Sequence, residues 1–163
     1  MVEDIMLEAT FEEIVLPKIE YDYNSASLRK KSKEVLNNLI DVLIANPNVV
    51  IQLRSHTDSR AGDDFNMELS QKRAQICVDY MVAKGIAPMR LIAIGMGEDE
   101  PFVMDVKDGK LRPGAILNET FIDKLKRKKD IEKAHQYNRR TDFMVVLDSF
   151  YDAESDKVLP KKK

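Results

Sequence analysis

An acidic and a basic side chain, Asp58 and Arg73, stand 15 positions apart in the stretch HTDSRAGDDFNMELSQKRA. Arg73 falls in a segment whose apolar residues recur at spacings of three and four, which predicts an amphipathic helix over 69–80. At about 100° per residue, Arg73 lies within the apolar stripe of that helix, where a charge is costly unless a partner meets it. The partner is either another residue of the chain or part of a ligand.

Asp58 is the candidate residue beside it, because it follows a predicted strand and Arg73 lies one turn into the next helix. Ligands of alternating folds bind where strands end and helices begin. A carboxylate beside a guanidinium, both partly withdrawn from water, suits a zwitterion: Asp58 takes the ammonium and Arg73 takes the carboxylate in a bidentate grip. The alternative is an internal Asp58–Arg73 salt bridge that neutralises the buried arginine.

The elements that position this pair alternate along the chain. Period-two patterns and short apolar runs predict four strands, at residues 14–23, 49–55, 90–97 and 141–147. Helical spacing predicts three helices: one that Ser25 or Ser27 caps and Pro47 ends, one that carries Arg73 and ends at Gly85, and one from Asn118 to about His135. The order β-α-β-α-β-(α)-β predicts an α/β domain, an α+β sandwich with helices packed on one mixed sheet.

Composition narrows the class of partner. The formal net charge is −2, which argues against nucleic acid. Two basic runs, KLKRKK and the terminal KKK, are interpreted as a solvated helix face and a loose end. No stretch reaches the roughly 18 apolar residues of a membrane span, and the acidic start lacks the features of a signal peptide. We therefore expect no nucleic acid partner and no direct insertion into a membrane.

Catalytic and metal-binding motifs are missing from the sequence. It has no G-x-S-x-G elbow, Walker loop, H-E-x-x-H motif or dinucleotide fingerprint. Asp58, Asp63, Asp64 and Asp99 do not have the spacing of a calcium loop. The one cysteine, Cys77, falls at a core position and is interpreted as a small buried hydrophobe. The expectation is a protein without enzymatic activity, metal or cofactor.

Three separated motifs indicate a family. They read HTD…G…N..LS..RA at 56–74, KG…RL…G.GE..P at 84–101 and NRRTDFMV at 138–145. Together they resemble the OmpA-like peptidoglycan-binding domain, over about Ile14 to Leu147. In that family the aspartate of TD and the arginine of LS..RA hold the diaminopimelate of the peptidoglycan stem peptide, whose side chain ends in a zwitterion. The resemblance therefore implies that Asp58 and Arg73 are the primary anchors.

The resemblance also implies supporting residues around the anchors. These are Thr57, Asn66, Leu69 and Ser70, which match positions lining the same pocket, Asn24, which matches the polar position that closes the site, and Arg140, the second arginine of NRR. Loop or helix capping is the alternative role for Asn66 and Ser70. A structural role is also the alternative for Asn24, and Arg140 either contacts the ligand or braces the pocket.

The connection before NRR departs from the family pattern. About 36 residues separate EDEP from NRR, which resembles the versions found in Bacteroidetes, with an extra helix at this place. We divide the chain into an N-terminal extension (1–13), the domain (14–148) with an insertion at 102–135, and a C-terminal tail (149–163) without sustained periodicity. His135 is interpreted as a hydrogen-bonded helix-end residue, and His56 is expected to orient the loop that carries Asp58.

The resemblance implies non-catalytic binding of peptidoglycan through the meso-diaminopimelate stem peptide, which anchors a larger outer-membrane or periplasmic protein or complex to the cell wall. It places the domain in the periplasm of a Gram-negative cell, associated with the outer membrane through a missing upstream region. We interpret the chain as an excised C-terminal domain whose full-length protein binds other envelope proteins. The alternative is a protein–protein scaffold in a secretion system or motor, with a vestigial pocket and the insertion as its working surface.

Overall fold

The structure, a computed structural model, describes residues 18–146, 149–152 and 157–160. Its helices are α1 (Lys30–Ala45), α2 (Asp63–Ala83), α3 (Glu119–Ile122) and α4 (Lys128–Asn138). The strands of its central sheet are β1 (Ile19–Glu20), β2 (Ile51–Ser55), β3 (Leu91–Gly95) and β4 (Arg140–Val145). The predicted extension at 1–13 and the start of the first predicted strand lie outside the described residues.

The central sheet has the strand order β1-β4-β2-β3. β2 and β3 are parallel, and β4 runs antiparallel to both of its neighbours. The predicted mixed sheet is thus confirmed, with α1 and α2 packed on it over a core of apolar side chains that includes Leu36, Leu53 and Met81. Because β2 and β3 are parallel, the segments that leave them run side by side, and Thr57 N donates to Gly97 O (2.8 Å).

The start of α1 differs from the prediction. Neither Ser25 nor Ser27 caps the helix, which begins only at Lys30. Residues 22–28 form a loop, in which Ser27 N donates to Ser25 Oγ (3.1 Å). The guanidinium of Arg73 on α2 binds two backbone carbonyl groups of this loop. Because that contact holds the loop against α2, the serines stay out of the helix.

The insertion contains two helices where one was predicted. Asn118 caps α3 as predicted, since its Oδ1 accepts a hydrogen bond from Phe121 N (2.9 Å). α3 ends at Ile122 and α4 begins at Lys128. A small separate core explains the break, because Ile122 and Ala134 both pack into it. A continuous helix would place these two residues about 18 Å apart along its axis.

The C-terminal tail also differs from the prediction. β5 (Ser149–Asp152) and β6 (Lys157–Pro160) form a two-stranded antiparallel sheet, whereas the sequence predicts a tail without regular structure. The two strands read SFYD and KVLP, and neither alternates apolar and polar residues, which is the signal that predicts a strand. Short paired segments of this kind are therefore missed by periodicity.

Gly95, at the end of β3, lies against the backbone of α2. A Cβ atom at this position meets Gln71 N at 2.5 Å and Ser70 Oγ at 2.7 Å. We expect Gly95→Ala to lower the free energy of unfolding by about 1–3 kcal/mol, because the helix backbone has to move to admit the methyl group. Urea unfolding followed by circular dichroism measures this loss.

Gly62→Ser is the matched control for Gly95→Ala. A Cβ atom at Gly62 meets nothing within 4 Å, and serine is favoured at a helix N-cap, the position that Gly62 occupies on α2. We expect this variant to unfold at the same urea concentration as the wild type or a higher one. An equal loss of stability in both variants contradicts the steric explanation.

Candidate functional site

Arg73 is buried on α2, with only 1% of its surface exposed. Its guanidinium donates to three backbone carbonyl groups: Nε to Ser25 O (2.8 Å), Nη1 to His56 O (3.0 Å) and Nη2 to Asp22 O (3.2 Å). The Tyr21 ring lies beneath it, with 4.6 Å between Cζ and the ring centroid. Burial lowers the pKa of Arg73 to about 10, so the group is charged at neutral pH.

Asp58 lies at the exit of β2 and is 4% exposed. Its Oδ2 accepts hydrogen bonds from Arg60 Nη2 (2.7 Å) and Arg139 Nη1 (2.9 Å), and its Oδ1 accepts one from Arg60 N (3.1 Å). Burial alone raises the pKa of Asp58, but the bonds from Arg60 and Arg139 hold it below its ordinary value. The predicted alternative, an Asp58–Arg73 salt bridge, does not form. No carboxylate of residues 18–146 lies within 4 Å of the Arg73 guanidinium.

Arg60 covers the Asp58 carboxylate from the solvent side. Its side chain is about a third exposed (30%). It lies over the Tyr23 ring, with 4.2 Å between Cζ and the ring centroid, and Nη1 donates to Glu132 Oε2 (3.0 Å). Glu132 belongs to α4, so a residue of the insertion holds the side chain that closes Asp58.

Asp58 and Arg73 line one narrow cleft. The space between its walls does not admit a water molecule. Six of the eight residues predicted for the site line the cleft, and Tyr23 and Arg139 join them. The complete lining is Tyr23, Asn24, Thr57, Asp58, Asn66, Leu69, Arg73 and Arg139. The sequence therefore identified most of the residues of this cleft, but not its closed state.

Arg140 does not line the cleft, and the arginine of the NRR motif that does is Arg139, the residue before it. Arg140 Nε donates to Asp142 Oδ2 (3.0 Å) and its Cζ lies 5.2 Å from the centroid of the Phe102 ring. Arg139 immediately precedes β4 and points into the cleft. Arg139 is the C-cap residue of α4 and Arg140 is the first residue of β4, and the change from helix to strand between them separates the directions of the two side chains.

Ser70 does not line the cleft either, and its capping alternative describes it better. Its hydroxyl donates to Met67 O (2.8 Å) and accepts from Gly97 N (2.9 Å), which ties α2 to the segment after β3. Asn66 has both roles, because it lines the cleft and its Nδ2 donates to Ala61 O (3.1 Å).

The loop before α1 closes one side of the cleft. Asn24 lines it and has a φ of 54°, the left-handed conformation that asparagine tolerates better than most residues. Ser25 N donates to Asp22 O (3.1 Å), which closes the turn around Asn24. The carbonyl groups of Asp22 and Ser25 are two of the three that Arg73 binds. Arg73 is therefore both a lining residue and the clamp that holds this loop.

The histidines and the cysteine are buried. His56 is 1% exposed, its Nε2 lies 3.2 Å from Asp142 Oδ2 and burial lowers its pKa. Its backbone oxygen accepts from Arg73, which fits the predicted orienting role. His135 lies in the last turn of α4, but the hydrogen bond predicted for its ring is absent at Nδ1. Cys77 is fully buried, and burial raises its pKa to about 11.

Two properties of the described part of the chain bear on the class of site. No three histidine, cysteine, aspartate or glutamate side chains there are grouped so that they could hold a metal ion. None of the helices there combines the length and the apolar character that crossing a lipid bilayer requires.

Comparison with known proteins gives relatives that match between half and two thirds of the chain. Outer membrane porin F of Pseudomonas fluorescens is 31% identical over 100 residues, which is 61% of this chain. The peptidoglycan-binding protein ArfA of Mycobacterium tuberculosis is 34% identical over 83 residues, which is 51% of this chain. The matches span only 29% and 26% of these two relatives.

Solved structures share the fold. The peptidoglycan-associated lipoprotein of Burkholderia pseudomallei superposes with a TM-score of 0.59 at 19% identity, over 78% of this chain and 88% of that one. The C-terminal domain of Helicobacter pylori MotB also has a TM-score of 0.59, at 15% identity, over 85% of this chain and 87% of that one. The model of the OmpA family matches residues 20–111, more than half of the 163 residues, and the chain therefore belongs to the OmpA family.

Proposed function

We propose that the domain binds peptidoglycan without catalysis, through the zwitterionic end of the diaminopimelate in the stem peptide. The observation that carries this proposal is the charge of Arg73, which is buried without a carboxylate partner among residues 18–146 and lines the same cleft as Asp58. A buried charge that lacks an opposite charge is costly, and a ligand carboxylate supplies one. The names of ArfA and of the peptidoglycan-associated lipoprotein support peptidoglycan as the source of that ligand.

The ammonium of the zwitterion is proposed to replace Arg60 at Asp58. Of the two arginines that contact Asp58, Arg139 is 4% exposed and also donates to Tyr21 O (3.0 Å), which holds it in place. Arg60 is partly exposed and reaches Asp58 from the loop, so it is the partner that can leave. Its departure removes a cation from the carboxylate and opens the side of the cleft next to Tyr23.

The carboxylate of the zwitterion is proposed to bind Arg73. A guanidinium carries five N–H donors, and the structure uses three of them on carbonyl groups. Two donors thus remain for a ligand. Because three bonds already fix the guanidinium, little rotamer entropy is lost when the ligand binds.

Binding of this kind anchors the protein to which the domain belongs. We propose that residues 14–148 form the binding domain, that it lies in the periplasm next to the outer membrane, and that an upstream region connects it to an envelope protein or complex. A single zwitterion gives modest affinity after desolvation is subtracted. The many copies of the stem peptide in a cell wall then supply the effective concentration that holds the protein in place.

Isothermal titration with two ligands tests the proposal. We expect meso-diaminopimelate to bind, and Nα-acetyl-L-lysine amide, which has a side-chain ammonium but no carboxylate, to bind at least tenfold more weakly, since Arg73 then loses its partner. Equal affinity for the two, or binding of neither, contradicts the proposal. Failure to sediment with purified peptidoglycan, together with capture of an envelope protein that requires residues 102–135, favours the scaffold alternative.

Arg60→Ala is expected to raise the affinity for diaminopimelate about fivefold. The side chain competes with the ligand ammonium for Asp58, and removing a partly exposed ion pair of about 1 kcal/mol removes that competition. Titration calorimetry at fixed ionic strength measures the change. Arg54→Ala is the control, because Arg54 pairs with Glu100 away from the cleft and its loss leaves the affinity unchanged. A lower affinity of Arg60→Ala means that Arg60 contacts the ligand instead.

Arg139→Gln and Arg140→Gln form a matched pair that tests which arginine of the NRR motif serves the cleft. Both arginines are buried and paired with an aspartate, Arg139 with Asp58 and Arg140 with Asp142. We expect Arg139→Gln to weaken binding of diaminopimelate about tenfold. Asp58, whose carboxylate is proposed to bind the ligand ammonium, then loses the hydrogen bond that holds it in place. Arg140→Gln keeps the wild-type affinity. The reverse ranking restores the original assignment to Arg140.

A further inference from the structure

A second and larger cavity lies beside the cleft. Its volume is about 290 Å³, and it opens between the segments that follow β2 and β3 and the start of α3. Its polar walls include Thr57, Ser59, Glu98, Asn118, Glu119 and Thr120. Thr57 lines both this side cavity and the cleft, so the two spaces are neighbours. Thr57 therefore stands between Asp58 and the side cavity.

The hydroxyl of Thr57 is an unused hydrogen-bonding group at this junction. Thr57 is 5% exposed, and its Oγ1 is buried without a hydrogen-bond partner among the described residues. A buried hydroxyl that makes no hydrogen bond is unfavourable and calls for an explanation. A polar group of a ligand that passes Thr57 supplies the missing partner.

The charge of the side cavity selects the kind of group that it accepts. Glu98 and Glu119 lie in its wall, and no lysine or arginine of the described residues lines it. Burial, together with Asp63 and Glu119, raises the pKa of Glu98 to about 7. Carboxylates crowded in this way repel a ligand carboxylate and accept hydrogen bonds from N–H groups.

The insertion builds the outer wall of the side cavity and holds it rigidly. Asn118 caps α3 with its side chain. Asn138 on α4 donates to Leu117 O (2.9 Å) and accepts from Phe102 N (2.8 Å), so one amide ties both ends of the loop that precedes α3. The wall is therefore formed before any ligand arrives, which lowers the entropic cost of binding.

We infer that the side cavity is a second subsite, which binds N–H groups of the peptide that continues from the zwitterion held by Asp58 and Arg73. This inference rests on the proposed function, because it takes the zwitterion as the ligand of the cleft. It also gives the insertion a role in binding. The insertion supplies the surface that distinguishes the stem peptide from free diaminopimelate.

Titration calorimetry with two ligands tests the subsite. The ligands are free meso-diaminopimelate and the soluble tripeptide L-alanyl-γ-D-isoglutaminyl-meso-diaminopimelate, in which the α-carboxylate of the D-glutamate is an amide and supplies N–H groups to the side cavity. We expect the wild type to bind the tripeptide more tightly than free diaminopimelate. Glu119→Gln lowers the affinity for the tripeptide about fivefold, and the charge reversal Glu119→Lys lowers it further, while both variants bind free diaminopimelate as the wild type does.

Asp123→Asn is the control, since Asp123 is an exposed acid on the same insertion outside the side cavity. We expect this variant to bind the tripeptide and free diaminopimelate as the wild type does. Urea unfolding of each variant shows whether the fold is intact. Equal wild-type affinity for the two ligands, or Glu119 variants that weaken both ligands equally, overturns the subsite while the proposed function stands. Absence of binding of either ligand to the wild type overturns the proposed function and the subsite with it.

Discussion

Replacing Arg73 by leucine is expected to abolish binding of diaminopimelate and to lower the free energy of unfolding by about 3–5 kcal/mol. The ligand carboxylate loses its only proposed cationic partner. The carbonyl groups of Asp22, Ser25 and His56 lose their donor at the same time, and buried acceptors without a donor are costly. Titration calorimetry measures the binding, and urea unfolding measures the stability.

Arg90→Leu separates the two effects of the Arg73 substitution. Arg90 also donates to three backbone carbonyl groups, those of Val49, Leu43 and Asn46, at 2.7–3.0 Å, and it does not line the cleft. We expect this variant to lose stability and to keep its affinity for diaminopimelate. If Arg90→Leu also loses binding, the loss in Arg73→Leu reflects the fold and not a contact with the ligand.

The positions of Asp58 and Arg73 were predictable because each depends on local periodicity. Helical spacing placed Arg73 in the buried stripe of α2, and the structure buries it there. The strand pattern placed Asp58 at the exit of β2, where the loop begins. Gly85, predicted as the residue after the end of α2, has a φ of 104°, which glycine adopts without strain.

The partners of Asp58 and Arg73 could not be predicted, because they depend on contacts between distant segments. Asp58 and Arg139 are 81 positions apart, and no local pattern indicates that they meet. Arg139 is the C-cap residue of α4 and Arg140 is the first residue of β4, so which of the two faces the cleft depends on the residue at which the strand begins. The position of Arg60 over Asp58 depends on Glu132 of the insertion, whose fold has its own small core.

Replacing Asp58 by asparagine is expected to weaken binding of diaminopimelate about a hundredfold or more. Asparagine keeps the shape of the side chain but loses the charge that the ligand ammonium requires, and truncating one partner of a buried charge pair costs about 2–5 kcal/mol. Arg60 and Arg139 also lose their shared counter-ion, so we expect a lower free energy of unfolding at neutral pH. Calorimetry and urea unfolding measure the two losses.

The pH dependence of the stability lost in Asp58→Asn identifies the charge of the Asp58 carboxylate as the cause of that loss. The pKa of Asp58 in the fold lies below its ordinary value. Its ion pairs therefore stabilise the wild type fully at pH values above the ordinary carboxyl pKa. This stabilisation is lost as the pH falls through the lowered pKa that Asp58 has in the fold. The difference in stability between wild type and variant thus shrinks on acidification.

Asp142→Asn, the control, removes a carboxylate that also has a lowered pKa and pairs with a buried arginine. Because Asp142 does not line the cleft, a loss of binding in that variant contradicts the assignment of the ammonium to Asp58.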